Sequence, residues 1–178
     1  MGKVLKPDLA QAERFLNLLE PGGEFWFQTQ IEPKPDGRGA PRVLSGTLEQ
    51  CWAQLVGINA NGHAVWVQIN AGNGRADKDV TRLRAYFVDI DEGDGTSLLN
   101  SEVPADIINE TSPGKFHGYW LTPDGPVDKF KARQLALAEK FGGDTSVCNP
   151  GRVMRLPGLV HWKETPFLSR ILRIRPGL

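Results

Sequence analysis

Cysteine and histidine are scarce. Among 178 residues there are two cysteines, Cys51 and Cys148, and three histidines. The cysteines form no C-x-x-C pair and the histidines no ligand-spaced cluster, which excludes a disulfide scaffold and a zinc ribbon. No apolar run approaches the roughly 18 residues of a membrane span, and no signal peptide opens the sequence. A cytoplasmic location is therefore expected. Neither sign of charge dominates, since 21 Lys and Arg balance 21 Asp and Glu. With 40% apolar and 24% charged residues, the chain is not disordered and is long enough to bury a core. No internal repeat or low-complexity segment occurs. Glycine and proline are plentiful, at 20 and 13, so turns and loops take a large share.

The neutral total hides segregation. Seven acids (Asp89, Asp91, Glu92, Asp94, Glu102, Asp106, Glu110) lie between Ala85 and Gly114 without a single Lys or Arg. From Pro150 to Leu178 the balance reverses, with Arg152, Arg155, Lys163, Arg170, Arg173 and Arg175 against Glu164 alone. Carboxylates gathered in one place and cations in another suit a site that meets anions, or two solvated faces that offset each other.

Apolar spacing predicts a helix over 8–20, capped by Asp8 and ended by Pro21-Gly22-Gly23. Alternation predicts a strand over Glu24–Ile31, and the Pro- and Gly-rich stretch 32–43 reads as a surface loop. Thr47 and Gln50 resemble a capping box before a helix over 48–58, whose stripe is Leu48, Cys51, Trp52 and Leu55. Ala64–Ile69 reads as a strand, Ala71–Asp77 as turns, and Arg84–Asp91 as a buried strand ending in carboxylates. Residues 92–104 read as turns. Ala105–Glu110 and Phe116–Leu121 form a hairpin pair, and a helix over 127–141 stops at Gly142-Gly143. Arg152–Gly158 and Phe167–Arg175 are strand candidates. Hairpins outnumber crossovers, which argues for an α+β fold.

Three segments carry chemistry. In a strand, residues i and i+2 face one way, roughly 6.6–7 Å apart, so Asp89 and Asp91 of Val-Asp-Ile-Asp present two carboxylates together. Such a pair repels unless a cation intervenes, and hard divalent ions take oxygen ligands. The alternative is a solvated strand end with a calcium-like turn through Glu92 and Asp94. In Thr111–Leu121, Ser112, Lys115 and His117 are phosphate-friendly groups, and the Pro113-Gly114 turn offers backbone N–H donors. Asp144 follows two glycines, so it can be aimed back at the sheet or serve as a turn residue. Arg152, Arg155 and Lys163 come after it. Arg38, Arg42, Lys78, Arg82 and Arg84 are candidates for a template groove. The five tryptophans fit core patterns, though one of them could stack a base.

In order, these elements are a hydrophobic-D-h-D strand end (Phe87 to Asp91), S-P-G-K-x-H with a following aromatic (Ser112 to Tyr119), G-G-D (Gly142 to Asp144) and R-h-x-R-L-P-G (Arg152 to Gly158). Together they resemble the archaeo-eukaryotic primase superfamily, in its RepB-like plasmid- and phage-type primase and primase-polymerase branch, over roughly residues 47–165. The resemblance implies a bilobed primase-polymerase core, a small α/β lobe over about 1–80 and an RRM-like mixed or antiparallel sheet lobe over about 81–178 carrying the metal site. It implies template-directed nucleotidyl transfer with two Mg²⁺ or Mn²⁺ ions on Asp89, Asp91 and Asp144. His117, Ser112 and Lys115 would hold the nucleoside triphosphate, with Arg152, Arg155 and Lys163 as further phosphate contacts. Single-stranded DNA template and primer, and a helicase or other replication protein, are the implied partners. The sequence shows no zinc module, which some relatives use in starting chains. Two other readings stand beside this one. A relaxase-like initiator wants a tyrosine nucleophile and a histidine pair, yet only Tyr86 and Tyr119 and no H-x-H are present. An RRM-like nucleic-acid-binding module without catalysis would not depend on Asp144.

Overall fold

The computed structural model describes residues 5–32, 40–93, 95–123 and 125–178. The fold is mixed α+β, and every strand pairing is antiparallel. Helix α1 (Leu9–Leu19) starts where the Asp8 carboxylate accepts the Gln11 N–H at 3.3 Å, and it buries Ala12, Phe15, Leu16 and Leu19. Strand β1 (Phe25–Ile31) sends Phe25, Phe27 and Thr29 inward. Strand β2 (Arg42–Gly46) follows, then helix α2 (Leu48–Ala60), opened by the expected capping box of Thr47 and Gln50. Strand β3 (His63–Gln68) pairs with β1, and a short hairpin, β4 (Ala71–Gly72) and β5 (Val80–Arg82), leads on.

Strand β6 (Ala85–Ile90) begins the second large sheet. Helix α3 (Thr96–Asn100), strands β7 (Ile107–Ser112) and β8 (Lys115–Leu121) and helix α4 (Phe130–Phe141) come next. Strands β9 (Val153–Arg155), β10 (Val160–His161), β11 (Phe167–Leu168) and β12 (Arg170–Ile174) complete the described fold. One four-stranded sheet runs β2-β1-β3-β9 and the other β12-β7-β8-β6. A single apolar cluster joins them, from Phe15, Phe27 and Leu55 to Phe87, Tyr119 and Phe130. No helix among the described residues is long and apolar enough to cross a membrane.

Four local features differ from the sequence reading. Arg42–Gly46 is a strand rather than the end of a loop, because it pairs with β1 through Phe25↔Gly46 to Thr29↔Arg42; residues 33–39 of that loop lie outside the described residues. A short helix stands within the expected turns of 92–104, with Leu98 buried against the sheet. Asp91 is the first residue beyond β6 rather than its last. The segment 167–175 is broken at Ser169. That residue is buried, its N–H donates to Leu159 O and its hydroxyl to Leu156 O, so the chain leaves β10 to join β7.

β6 is an edge strand, and its unpaired main chain at Phe87 is answered by one side chain. Gln134 of α4 is fully buried; its amide oxygen accepts the Phe87 N–H at 3.2 Å and its amide nitrogen donates to the Phe87 and Val147 carbonyls. An orphaned main-chain group inside the protein costs free energy, and here the amide takes the place of a further strand.

Candidate active site

The site grows from the end of β6 and its partners. Register sets Asp89 beside His117 on β8, and His117 beside Asn109 on β7, so the three share one face of the sheet. His117 Nε2 lies 3.4 Å from Asp89 Oδ1, and its Nδ1 lies 3.1 Å from the Tyr119 hydroxyl. Burial opposes ionisation of Asp89. His117, through charge and hydrogen bond, then Lys115 and Arg155 together outweigh it and hold the carboxyl below its usual range. Tyr119 is fully buried, and that burial, with the Asp89 charge, pushes its hydroxyl well above the usual phenol range. It therefore keeps its proton.

The two glycines before Asp144 have separate tasks. Gly142 ends α4 in the left-handed region (φ 67°), which suits a residue without Cβ. Gly143 then passes so close to β6 that an added Cβ would sit 3.0 Å from the Asp89 carbonyl. This approach lets the Asp144 N–H donate to that same carbonyl at 2.9 Å. The Asp144 carboxylate accepts from the Ser146 N–H (2.8 Å) and hydroxyl (2.7 Å), and Asp91 lies 3.2 Å from Lys115 Nζ. Among the described residues, no group of three or more His, Cys, Asp or Glu side chains stands close enough to hold an ion. The main chain thus joins two of the three acids, while the Asp91 and Asp144 carboxylates are engaged by Lys115 and Ser146.

The basic residues divide. Ser112 and Lys115 flank the Pro113-Gly114 turn, where Gly114 has φ 76°. With Pro113, His161, Lys163, Glu164 and Thr165 they line a pocket of about 250 Å³. Arg152 reaches over the Asp144 loop to donate to Ser146 O at 2.9 Å. Arg155 is instead buried and paired with Glu32 at 2.8 Å, its guanidinium 5.2 Å from the centre of the Trp66 ring. Arg82 and Arg84, candidates for a template groove, are both bound by Glu20. Arg84 is buried as well, donating to Glu24 O and Ile69 O and lying over Phe25, so it fastens the core and lines no groove. Arg38 lies outside the described residues. A second cavity, about 320 Å³ between α1 and α2, carries Glu13, Glu20 and Glu49 and suits no polyanion.

Glu32, Asn109 and His161 carry no role in the sequence reading, and Tyr119 enters it only as the aromatic after S-P-G-K-x-H and as one of two tyrosines. Glu32 sat within an apparent loop, but it accepts from Arg155 and from the Trp162 N–H and lies 3.8 Å from His161 Nε2. Burial first, then Arg155, holds His161 below its usual range, and its Nδ1 lies 2.9 Å from Thr111 O. The signal for Tyr119 and Asn109 was alternation. Tyr119 is two residues from His117, on the same face, and Asn109 is a polar residue inside an apolar strand.

Three solved structures that share this fold come from a primase-polymerase and from primase RepB′. The cyanophage S-2L primase-polymerase AEP domain superposes with a TM-score of 0.76 at 22% identity, covering 94% of this chain and 91% of that one. The catalytic domain of primase RepB′, solved with initiator DNA, gives 0.71 at 16%, covering 93% and 84%. A longer RepB′ structure gives 0.70 at 16%, and the match spans 56% of its length. No curated protein sequence matches. The sequence profile of the RepB DNA-primase N-terminal domain matches residues 68–170, more than half of the chain. The chain belongs to that family.

Proposed function

We propose that this chain carries out template-directed nucleotidyl transfer, as a DNA primase or DNA polymerase, in replicating a plasmid, phage or other mobile element. The observation that carries the reading is the 2.9 Å hydrogen bond from the Asp144 N–H to the Asp89 carbonyl, which ties the third acid to the acid-bearing strand. The donor set fits hard divalent cations. All three groups are carboxylates, and Asp89 is kept ionised by His117, Lys115 and Arg155 despite its burial. Asp89, Asp91 and Asp144 would hold Mg²⁺ or Mn²⁺, with the Asp144 carboxylate released from Ser146. Ions bound there supply a lowered pKa for an attacking 3′-hydroxyl and neutralise charge on leaving pyrophosphate.

The remaining roles belong to the chain. Lys115 and Lys163 bring positive charge to the 250 Å³ pocket, and Ser112 adds a hydroxyl for the phosphates of a nucleoside triphosphate. His117 is fixed from both sides, Nε2 facing Asp89 and Nδ1 facing the Tyr119 hydroxyl, so it would meet a triphosphate only by sharing or leaving the Asp89 contact. Arg152 stands beside the Asp144 loop as a further phosphate contact, whereas Arg155 acts from the second row, through its charge on Asp89. We assign the chain two portions: about 1–80 as an α/β portion and about 81–178 as an RRM-like portion carrying the acids. Strands β6, β7, β8 and β12 of the second portion share one antiparallel sheet, which supports that division. Strand β9 returns to complete the first sheet. Single-stranded template, primer and a helicase or other replication protein follow as partners.

Primer extension on single-stranded DNA with Mn²⁺ or Mg²⁺ tests the reading. Asp89→Asn and Asp144→Asn should each lower synthesis by more than about a hundredfold, the upper end of what even outer-shell partners cost. Undiminished synthesis in either variant overturns it.

A further inference from the structure

The five tryptophans do not share one fate. Trp120 is buried with its indole N–H on Val103 O, Trp52 packs on the core, and the Trp162 indole N–H donates to Asn59 O. Trp26 and Trp66 lie instead on the face of the β2-β1-β3-β9 sheet that turns away from α1 and α2. Register puts Gln28 opposite Trp66 on one side and Val43 on the other, with Trp26 opposite Ser45. Trp26 is therefore the diagonal neighbour of Trp66, roughly 7–8 Å away. Both rings are half-buried, and Val43 and Ser45 beside them are exposed. The Trp26 indole N–H is held by Gly72 O at 3.1 Å, while the Trp66 indole N–H makes no hydrogen bond among the described residues.

A charge completes the face. Arg75 reaches across to Gln28 Oε1 at 2.6 Å. Its Nε is buried without a hydrogen-bond partner, and no carboxylate among the described residues pairs with it. A half-buried guanidinium left without an anion calls for one. Two half-buried indole rings, that of Trp66 with Arg155 near it, a glutamine and an arginine without a carboxylate among the described residues match the chemistry of single-stranded nucleic acid: bases stack on the rings and a phosphate meets the cation. A duplex keeps its base faces stacked inside and cannot use the rings. At the β9 edge the face reaches Arg155, whose charge is felt at Asp89.

We propose that the Trp26–Trp66–Arg75 face is a platform for single-stranded DNA, stacking bases on the two indoles as the strand approaches the acids. The choice of DNA rests on the nucleotidyl-transfer reading. The test uses the full chain, a fluorescein-labelled oligo(dT) and anisotropy without metal or nucleotide. Trp66→Leu and Trp26→Leu should each weaken binding on the order of tenfold. Arg75→Gln, which keeps a polar group beside Gln28, should reduce the salt slope by about 0.7, the share of one phosphate contact on a single strand. Affinity within about twofold of the parent in both folded tryptophan variants overturns the platform. Should the variants not fold, 5-iodouracil placed in the oligonucleotide decides on the parent chain, since crosslinks at Trp26 or Trp66 support the platform and crosslinks confined elsewhere overturn it. Self-association that buries Trp66, with no oligonucleotide bound, overturns it in favour of a second copy of the chain. Normal affinity in the tryptophan variants beside lost synthesis in Asp89→Asn removes the platform alone. Weakened affinity beside intact synthesis in Asp89→Asn removes the catalytic reading alone.

Discussion

The two large sheets have the same number of strands and the same antiparallel pairing, yet their polar faces are built in opposite ways. On the β12-β7-β8-β6 sheet, His117, Asn109 and Tyr119 are buried and Asp89 is held between neighbours. On the β2-β1-β3-β9 sheet, Trp26, Gln28 and Trp66 stand half-open, with one arginine reaching across. On the first face the groups are buried, His117 held by Asp89 and Tyr119 while the Asn109 amide has no hydrogen-bond partner among the described residues; on the second they stay half-open to solvent. Precise chemistry needs the former arrangement, and a sequence-tolerant grip on a flexible polymer needs the latter.

Three substitutions sharpen that contrast. The largest effect is expected at Gln134. Gln134→Leu strands the Phe87 N–H and carbonyl together with the Val147 carbonyl, and should cost roughly 2–4 kcal/mol in urea unfolding. The sister change on the open face, Ser45→Ala, should stay within about 0.5 kcal/mol. Equal losses at the two positions would erase the distinction. Next comes Gly143→Ala, whose Cβ must push the Asp89 carbonyl away. A cost of about 1–3 kcal/mol is expected, with synthesis falling more than stability explains, as a rate measured well below the melting temperature would show.

How much of this was written in the sequence varies with distance along the chain. The acid-bearing strand, the Ser112–Lys115 hairpin and the stop at Gly142 are local patterns, and each was legible. The Thr47 capping box was legible for the same reason, both partners lying within one helical turn. The strand at Arg42–Gly46 was not, because its alternation is weak and a run of prolines and glycines precedes it. Glu32 was invisible as a functional neighbour, since its partner Arg155 lies 123 positions away. Arg84 and Arg155 looked alike in the sequence as free cations. Only folding reveals that each already has a carboxylate, Glu20 for one and Glu32 for the other. Likewise, no spacing rule separates the two tryptophans of the half-open sheet face from buried Trp120 or from Trp52 and Trp162, which are half-buried elsewhere.

The smallest expected effect concerns acidity. Burial, then Arg155, holds His161 below its usual range, so the unfolded chain takes up a proton before the folded one does. That part of the stability is whole above about pH 6.5 and declines as pH falls below it. His161→Asn should flatten the decline, which thermal unfolding at about pH 7.5 and about pH 5.5 compares directly. An identical slope in the variant would mean that the decline does not come from the imidazole.

Strand β9 has a consequence for how the protein is made. It closes the first sheet by pairing Gln68 with Val153, and Gly158 accepts the Asp8 N–H in a left-handed turn that leaves no room for a Cβ beside the Asp8 carbonyl. During synthesis the early sheet and helix must wait, incomplete, until some ninety further residues have emerged, since long-range pairings are slow to form. A nascent chain halted before Val153 should therefore stay sensitive to protease, and one extended past Ser169 should become resistant at once.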